Sequence, residues 1–294
     1  MLYLCHVDDS SDGKQEEYTI ACSLTCSLEG WTDANIRWES ELRRNPRIGY
    51  FHTKECSSLT GEFQQFRDNA KWPKPSGSEA ANTKKERLME IMRESEVQVF
   101  AIAVDLPGYN RVKAAYPESM GTFGNGPFEA AFQSLLYESG KQMERETEDG
   151  VIGFVCDEHN NAVEHANLYV QFKKKNPITA KRLVGIGMFD DKHLPSLQMA
   201  DLAANMLNKI FRANPVADKL PGPFPEFGER LWKIARFTES YALEILEGNG
   251  VKIKSNDDGI SEIRRTDEQS PQSSAQRNQS QAGSGKGSKE AEEI

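Results

Sequence analysis

Two short apolar runs in this 294-residue chain end directly in acid. Leu2–Val7 runs into Asp8-Asp9, and Val151–Cys156 runs into Asp157-Glu158. Continuous apolar runs of that length read as strands buried on both faces. If the two strands are parallel neighbours, both carboxylates stand at one sheet edge, beyond the carboxyl ends of the strands. Open α/β sheets place their sites there. One such acid is explained by solvation of a strand end; two make a site an equal alternative. A third acid comes from a helix. Leu197, Ala200, Ala204, Leu207 and Phe211 recur at spacings of three and four across Pro195–Arg212, and Asp201 lies on that apolar stripe. A carboxylate on a buried face is costly unless it is paired, hydrogen-bonded or bound to metal. Ala200, Ala203 and Ala204 would let this helix approach a sheet closely. Three such carboxylates form a hard-oxygen donor set of the kind Mg²⁺ and Mn²⁺ prefer. Two such ions side by side activate a water and stabilise a leaving oxygen in phosphodiester cleavage. The plainer alternative for Asp201 is a buried acid satisfied by a backbone or hydroxyl donor.

The elements that must position these acids follow from the apolar pattern. Tyr18–Leu28 reads as a second strand, joined to the first by the turn-like Ser10–Gly13. Trp31–Arg44 and Lys84–Glu94 read as helices, then Val97–Val104 as a third strand. Phe128–Glu146, Asn160–Lys174 and Glu226–Glu247 read as further helices, and Leu183–Phe189 as a fifth strand after Val151–Cys156. Asn69–Thr83 and Pro107–Pro127 are rich in Pro, Gly and small polar residues and read as loops. Asp105, before Leu-Pro-Gly, reads as part of a turn. Strands without a helix between the first two, then strands alternating with helices, predict an antiparallel start followed by parallel crossovers. That order matches an RNase H-like α/β fold. Its mixed five-stranded sheet would be flanked by helices, with an insertion at about residues 30–95 after the second strand. The expected organisation is one domain over residues 1–250. A disordered tail follows from Ser255, where almost nothing apolar remains to offset ordering entropy.

Several strings also carry a resemblance. Val7-Asp8-Asp9-Ser10-Ser11 resembles the Asp-Glu-Ser-Gly opening of the family catalogued as domain of unknown function 3800. Phe51-His52-Thr53-Lys54-Glu55 resembles its His-x-x-acid segment. Phe189-Asp190-Asp191-Lys192 with Leu197-Gln198-Met199-Ala200-Asp201-Leu202-Ala203 is similar to its most specific block, Asp-Ser-Lys followed by Leu-Gln-x-Ala-Asp-x-Ile-Ala. The chain departs from the pattern at Ser11, where the family has Gly, and at Asp191, where it has Ser. The resemblance implies an RNase H-like nuclease with Asp8, Glu55, Asp157 and Asp201 as catalytic acids and ligands of Mg²⁺ or Mn²⁺. Glu55 rests on the resemblance alone, and Glu129 or Glu138 are alternatives for that fourth position. His52 reads as a general base, a metal neighbour or a packing histidine. Lys192 and Gln198 read as contacts to a phosphate or as groups that orient a ligand.

Composition narrows the class. The chain has 36 basic and 45 acidic side chains, a formal net charge of −9, and this argues against coating duplex nucleic acid by bulk charge. An enzyme that reaches nucleic acid through a local basic patch remains compatible. Arg43-Arg44 with Arg47, and Lys173–Lys175 with Lys181-Arg182, are candidate patches, with a solvated surface as the commoner explanation. The five cysteines include no C-x-x-C pair, so a disulfide framework or zinc ribbon is not expected. Cys22 and Cys26 fall on one face of a strand. No apolar run is long enough to span a membrane, and the N-terminus lacks the basic lead of a signal peptide, so a cytoplasmic location is expected. The functional expectation is a metal-dependent nuclease or phosphodiesterase acting on a nucleic acid of unspecified type. The alternative is an inactive module of the same fold that binds nucleic acid or a protein partner. Nothing in the sequence fixes the oligomeric state.

Overall fold

In a computed structural model, residues 1–11, 17–67, 76–124, 126–158, 162–213, 232–248 and 250–253 are described. The expected tail from Ser255 lies outside them. The first two strands, β1 (Leu2–Ser11) and β2 (Tyr18–Ser27), form an antiparallel pair with Cys5 opposite Thr25 and Asp8 opposite Cys22. β3 (Gln98–Asp105) pairs antiparallel to β2. β4 (Val151–Asp157) pairs parallel to β1, and β5 (Leu183–Phe189) parallel to β4. The sheet order is β5-β4-β1-β2-β3-β6, in which only β2 runs against the rest. This is the RNase H-like arrangement that the order of elements predicts, with one strand added at an edge.

That added strand corrects the expectation for the C-terminal region. Instead of a helix over Glu226–Glu247, Trp232–Phe237 forms β6, parallel to β3, and the helix α9 begins at Glu239. Period-two alternation shows why. Ile234 packs toward one core while Ala235 and Phe237 pack toward the other. Thr238 then starts α9, its hydroxyl accepting from the Tyr241 N–H at 3.3 Å. Residues 226–231 of the expected helix lie outside the described ones.

Helices cover both faces. Over one face lie α1 (Leu28–Arg43), α2 (Thr53–Ser58), α3 (Ser76–Glu94) and α8 (Pro195–Ala213). They pack on Ile20, Cys22, Leu24 and Cys26 of β2. The insertion after β2 therefore supplies three of these four helices. Over the other face lie α4 (Leu106–Ala115), α6 (Pro127–Glu146), α7 (Ala162–Lys175) and α9, packed on Cys5, Val7, Ala21, Phe100, Ile102 and Phe154. Cys22 and Cys26 share a face as expected, and all five cysteines are buried thiols. Two expected loops are partly helical. Ser76–Thr83 belongs to α3. Pro107–Pro127 is taken up by α4, the short α5 (Pro117–Met120) and a 3₁₀ turn at Gly121–Phe123. Asp105 caps α4, its carboxylate accepting from the Gly108 N–H at 3.2 Å, and Pro107 sits in the first turn, where its missing N–H costs nothing. Among the described residues no helix is long and apolar enough to cross a membrane.

Candidate functional site

Alternation along β1 decides where Asp8 points. Cys5 and Val7 belong to the α6 face, so His6 and Asp8 lie on the α8 face. In β4, Phe154 and Cys156 share the face of Cys5 and Val7, which puts Asp157 on the same side as Asp8. Val7 pairs with Cys156, and the next step along the parallel ladder sets Asp8 beside Asp157. Asp201 arrives from α8, whose Ala200, Ala203 and Ala204 are buried against this face. At their side chains the helix can approach the sheet closely. Hydrogen bonds from Asn208 hold that approach: its Nδ2–H donates to Ser10 Oγ (2.7 Å) and its Oδ1 accepts from the Tyr18 hydroxyl (3.0 Å). α8 is thereby tied to both strands of the hairpin that carries Asp8.

Asp8 feels the charge of the other two acids. Burial holds the Asp8 carboxyl well above its ordinary range, and the charges of Asp201, Asp9 and Asp157 push it further. Burial also raises Asp201. This is partly offset by the Thr53 N–H, which donates to its Oδ2 at 2.7 Å, and by the nearby His52 and Lys85. A fourth carboxylate joins them. Asp191 follows β5, and its N–H donates to Asp157 Oδ1 at 3.3 Å. Burial raises Asp191 to about 6, with Asp157 and Asp201 adding to the rise and His52 opposing it. Asp191 reads in the sequence as a departure from the family pattern and not as a site residue. Its signal was its place two residues after the end of a parallel strand.

Glu55 stands differently. Its Oε1 accepts from the Tyr50 hydroxyl at 3.0 Å and its Oε2 from the Glu62 N–H at 3.1 Å. It also fills the space over Gly61, where φ is +50° and a Cβ would fall 1.9 Å from Oε2. The carboxylate that the resemblance points to is thus engaged in closing the turn between α2 and the following 3₁₀ segment. The alternatives Glu129 and Glu138 lie on α6, across the other face of the sheet from Asp8.

His52 precedes α2 and lies among Asp191 and Asp201; its Nδ1 is buried without a hydrogen-bond partner. Gln198 is only 1% exposed, too buried to touch a phosphate. Its Oε1 accepts from Trp38 Nε1–H (2.9 Å) and the Phe51 N–H (3.0 Å), while its Nε2–H donates to Asp191 O (3.0 Å). It therefore orients the three segments that bring up His52 and Asp191. Lys192 is exposed, with Nζ 5.5 Å from the Tyr50 ring centre. Some members of the expected basic clusters are committed to the protein itself. Lys173 Nζ donates to Leu183 O at 2.5 Å, Arg182 to Gly150 O and Glu148 O, and Arg43 pairs with Glu39.

A hard divalent cation fits the chemistry of this donor set: mutually repelling carboxylates at the carboxyl edge of parallel strands. Among the described residues, no three His, Cys, Asp or Glu side chains stand close enough to hold an ion together as they are placed. Binding would require the carboxylates to close around the ion.

No family model and no curated protein matches the chain. The resemblance to domain of unknown function 3800 therefore rests on its motifs alone. Solved structures include a chain of the PCNA:RNase HII complex from Archaeoglobus fulgidus, 13% identical, with a TM-score of 0.34 over 88% of this chain and 100% of that one. A likeness of that size carries no argument about chemistry, and the fold assignment stands on strand order and direction.

Proposed function

We propose that this protein is a metal-dependent phosphodiesterase acting on nucleic acid, with Asp8, Asp157, Asp191 and Asp201 as its acidic set. One observation carries the reading: carboxylates from β1, β4, the turn after β5 and α8 lie at one sheet edge, where burial, with the charges of Asp157 and Asp201, holds Asp8 and Asp191 above their ordinary range. A cluster of acids kept partly desolvated is costly and is typical of a functional site. Mg²⁺ or Mn²⁺ bound there, as one ion or two, would supply Lewis acidity and a water of lowered pKa.

The remaining roles belong to the chain. The Thr53 N–H fixes the orientation of Asp201, and the Asp191 N–H does the same for Asp157. His52, with a buried and unpartnered Nδ1 next to Asp191 and Asp201, is the group placed to accept or return a proton. Gln198 keeps His52 and Asp191 in register through the Phe51 N–H and the Asp191 carbonyl. Glu55 is assigned a supporting role, in place of the ligand role that the resemblance implies.

The test is cleavage of a mixed panel of labelled single- and double-stranded DNA, RNA and hybrid, with Mg²⁺, Mn²⁺ or chelator. Cleavage that needs metal and disappears in Asp201→Ala is expected. Metal-dependent cleavage that survives Asp201→Ala overturns the site. Binding to the panel with no metal-dependent cleavage favours the inactive module.

A further inference from the structure

β5 is an edge strand, and the row of acids runs out onto it. Gly153 pairs with Gly185, Val155 with Gly187 and Asp157 with Phe189, so these three residues of β5 share the face of Asp157 and Asp8. Neighbouring strands lie roughly 5 Å apart, which sets Phe189 one step from Asp157 and two from Asp8. α8 packs chiefly over β1 and β2, toward the other side of this face. At Gly185 no described atom beyond its chain neighbours lies within 4 Å of where a Cβ would stand. At Gly187 a Cβ would fall 2.7 Å from Phe189 Cε2, so the ring leans back over this glycine. The phenylalanine is nevertheless 51% exposed. Its backbone is held in place, since the Glu158 N–H donates to Phe189 O at 2.8 Å and the turn that follows brings the Asp191 N–H to Asp157.

We infer that Phe189 is a stacking platform for an unpaired base of the substrate strand, beside the phosphate that the acids act on. The inference rests on the phosphodiesterase reading and names its substrate class: a strand with a base free to leave its stack. A lone exposed apolar side chain needs no explanation. Phe189 differs from one in three ways. It ends the row that holds Asp8 and Asp157. The glycine beneath it makes room for the ring, which any larger residue at 187 would displace. The strand already has an apolar side without it, because Ile186 and Met188 pack into the core of the α6 face. An aromatic ring takes the π-face of any base, so the contact tolerates sequence. It also supplies affinity that needs no positive charge, in a chain whose net charge of −9 opposes a polyanion. Inside a duplex both faces of a base are covered by its neighbours. The ring can therefore stack only on a base that is single-stranded, terminal or extruded.

Binding to the full chain tests this without relying on turnover. Fluorescence anisotropy follows three labelled probes of equal length: a DNA single strand, a blunt duplex and a sugar-phosphate strand that lacks bases. The readings are taken over a salt series, in whichever of chelator or millimolar Ca²⁺ gives the tighter binding. Wild type should prefer the single strand to the base-free strand. Phe189→Ala should weaken single-strand binding ~5–100-fold, leave the other two probes unchanged and keep the slope of log affinity against log salt, since no charge is removed. Phe189→Trp and Phe189→Tyr should bind as wild type does, and Phe189→Leu should resemble the alanine variant. A wild type that ignores the bases overturns the platform. So does a Phe189→Ala that matches wild type on the single strand, or a Phe189→Leu that does. Sedimentation of wild type and Phe189→Ala covers the rival occupant: a dimer that the substitution dissolves makes the ring a contact between copies and overturns the platform. If the platform results hold but wild type cleaves nothing with Mg²⁺ or Mn²⁺, the phosphodiesterase reading falls and a single-strand-binding module remains. If Asp201-dependent cleavage holds while Phe189→Ala binds normally, the platform falls alone.

Discussion

Asp8 and Glu55 illustrate two kinds of acid in one small region. Asp8 is buried among like charges, so neutralising it should relieve strain as metal-free protein near neutral pH. Asp8→Asn should therefore melt at or above the wild-type temperature in chelator, against the usual trend for buried substitutions. Metal should reverse the order. A ligand at a hundredfold excess over its Kd adds about 2.7 kcal/mol, and the Asn variant should gain much less of it. Equal metal shifts in both proteins would remove Asp8 from the ligand set. Glu55 should behave oppositely. Its carboxylate satisfies the Tyr50 hydroxyl and the Glu62 N–H, so Glu55→Ala should cost about 1–3 kcal/mol of stability. The metal-induced shift should remain. A normal melt with a lost metal response would restore Glu55 as a ligand. Asp8, Asp157 and Asp201 were legible because each breaks a strong local pattern, an apolar strand end or an apolar helix stripe. Asp191 was not, since it stands where the family pattern has Ser, and only the β4–β5 pairing brings it to Asp157.

At the level of elements, α8 and the segment before α2 act as one positioning unit, joined by Gln198. This glutamine has its Oε1 shared by two donors and its Nε2 on the Asp191 carbonyl, all in a buried setting. Gln198→Leu fills similar volume but strands the Trp38 indole N–H and the Phe51 N–H. It should lower stability by about 2–4 kcal/mol, read by chemical denaturation at constant m-value. It should also release His52 and Asp191, so any cleavage should drop more than the stability loss explains at a temperature where the variant is folded. Full activity in the folded variant would show that the site is positioned without this strut. Legibility at this scale divides by length of pattern. The long stripe of α8 and the apolar runs of β1, β4 and β5 speak for themselves. Trp232–Phe237 does not: six residues of alternation sit beside a helical stretch, and only the open edge of β3 makes a strand of them. The start of α4 was written in its cap, Asp105, which the following Leu-Pro-Gly made look like a turn, and that of α9 in Thr238, which lay inside an apparently continuous helical stretch.

At the scale of the whole molecule, the acidic edge sets how stability responds to pH and metal together. The folded-state carboxyls of Asp8, Asp191 and Asp201 lie above the usual value of 3.8, Asp191 at about 6. The folded chain therefore binds more protons here than the unfolded chain between about pH 4 and 6. The contribution of these groups is greatest below that window and is lost as pH rises through it. Other carboxylates superpose their own trends, so the informative quantity is a difference. In chelator, the melting temperature of wild type minus that of Asp191→Asn should fall as pH rises from 4.5 to 7.5. A divalent cation competes with those protons for the same oxygens. Hence the stabilisation of wild type by millimolar Mg²⁺ or Mn²⁺ should grow over the same range, and Asp191→Asn should flatten that growth. A metal effect independent of pH, or a difference curve that rises instead, would separate the acids from metal binding. It would leave the gathered carboxylates as a cost of the fold without a ligand to offset it.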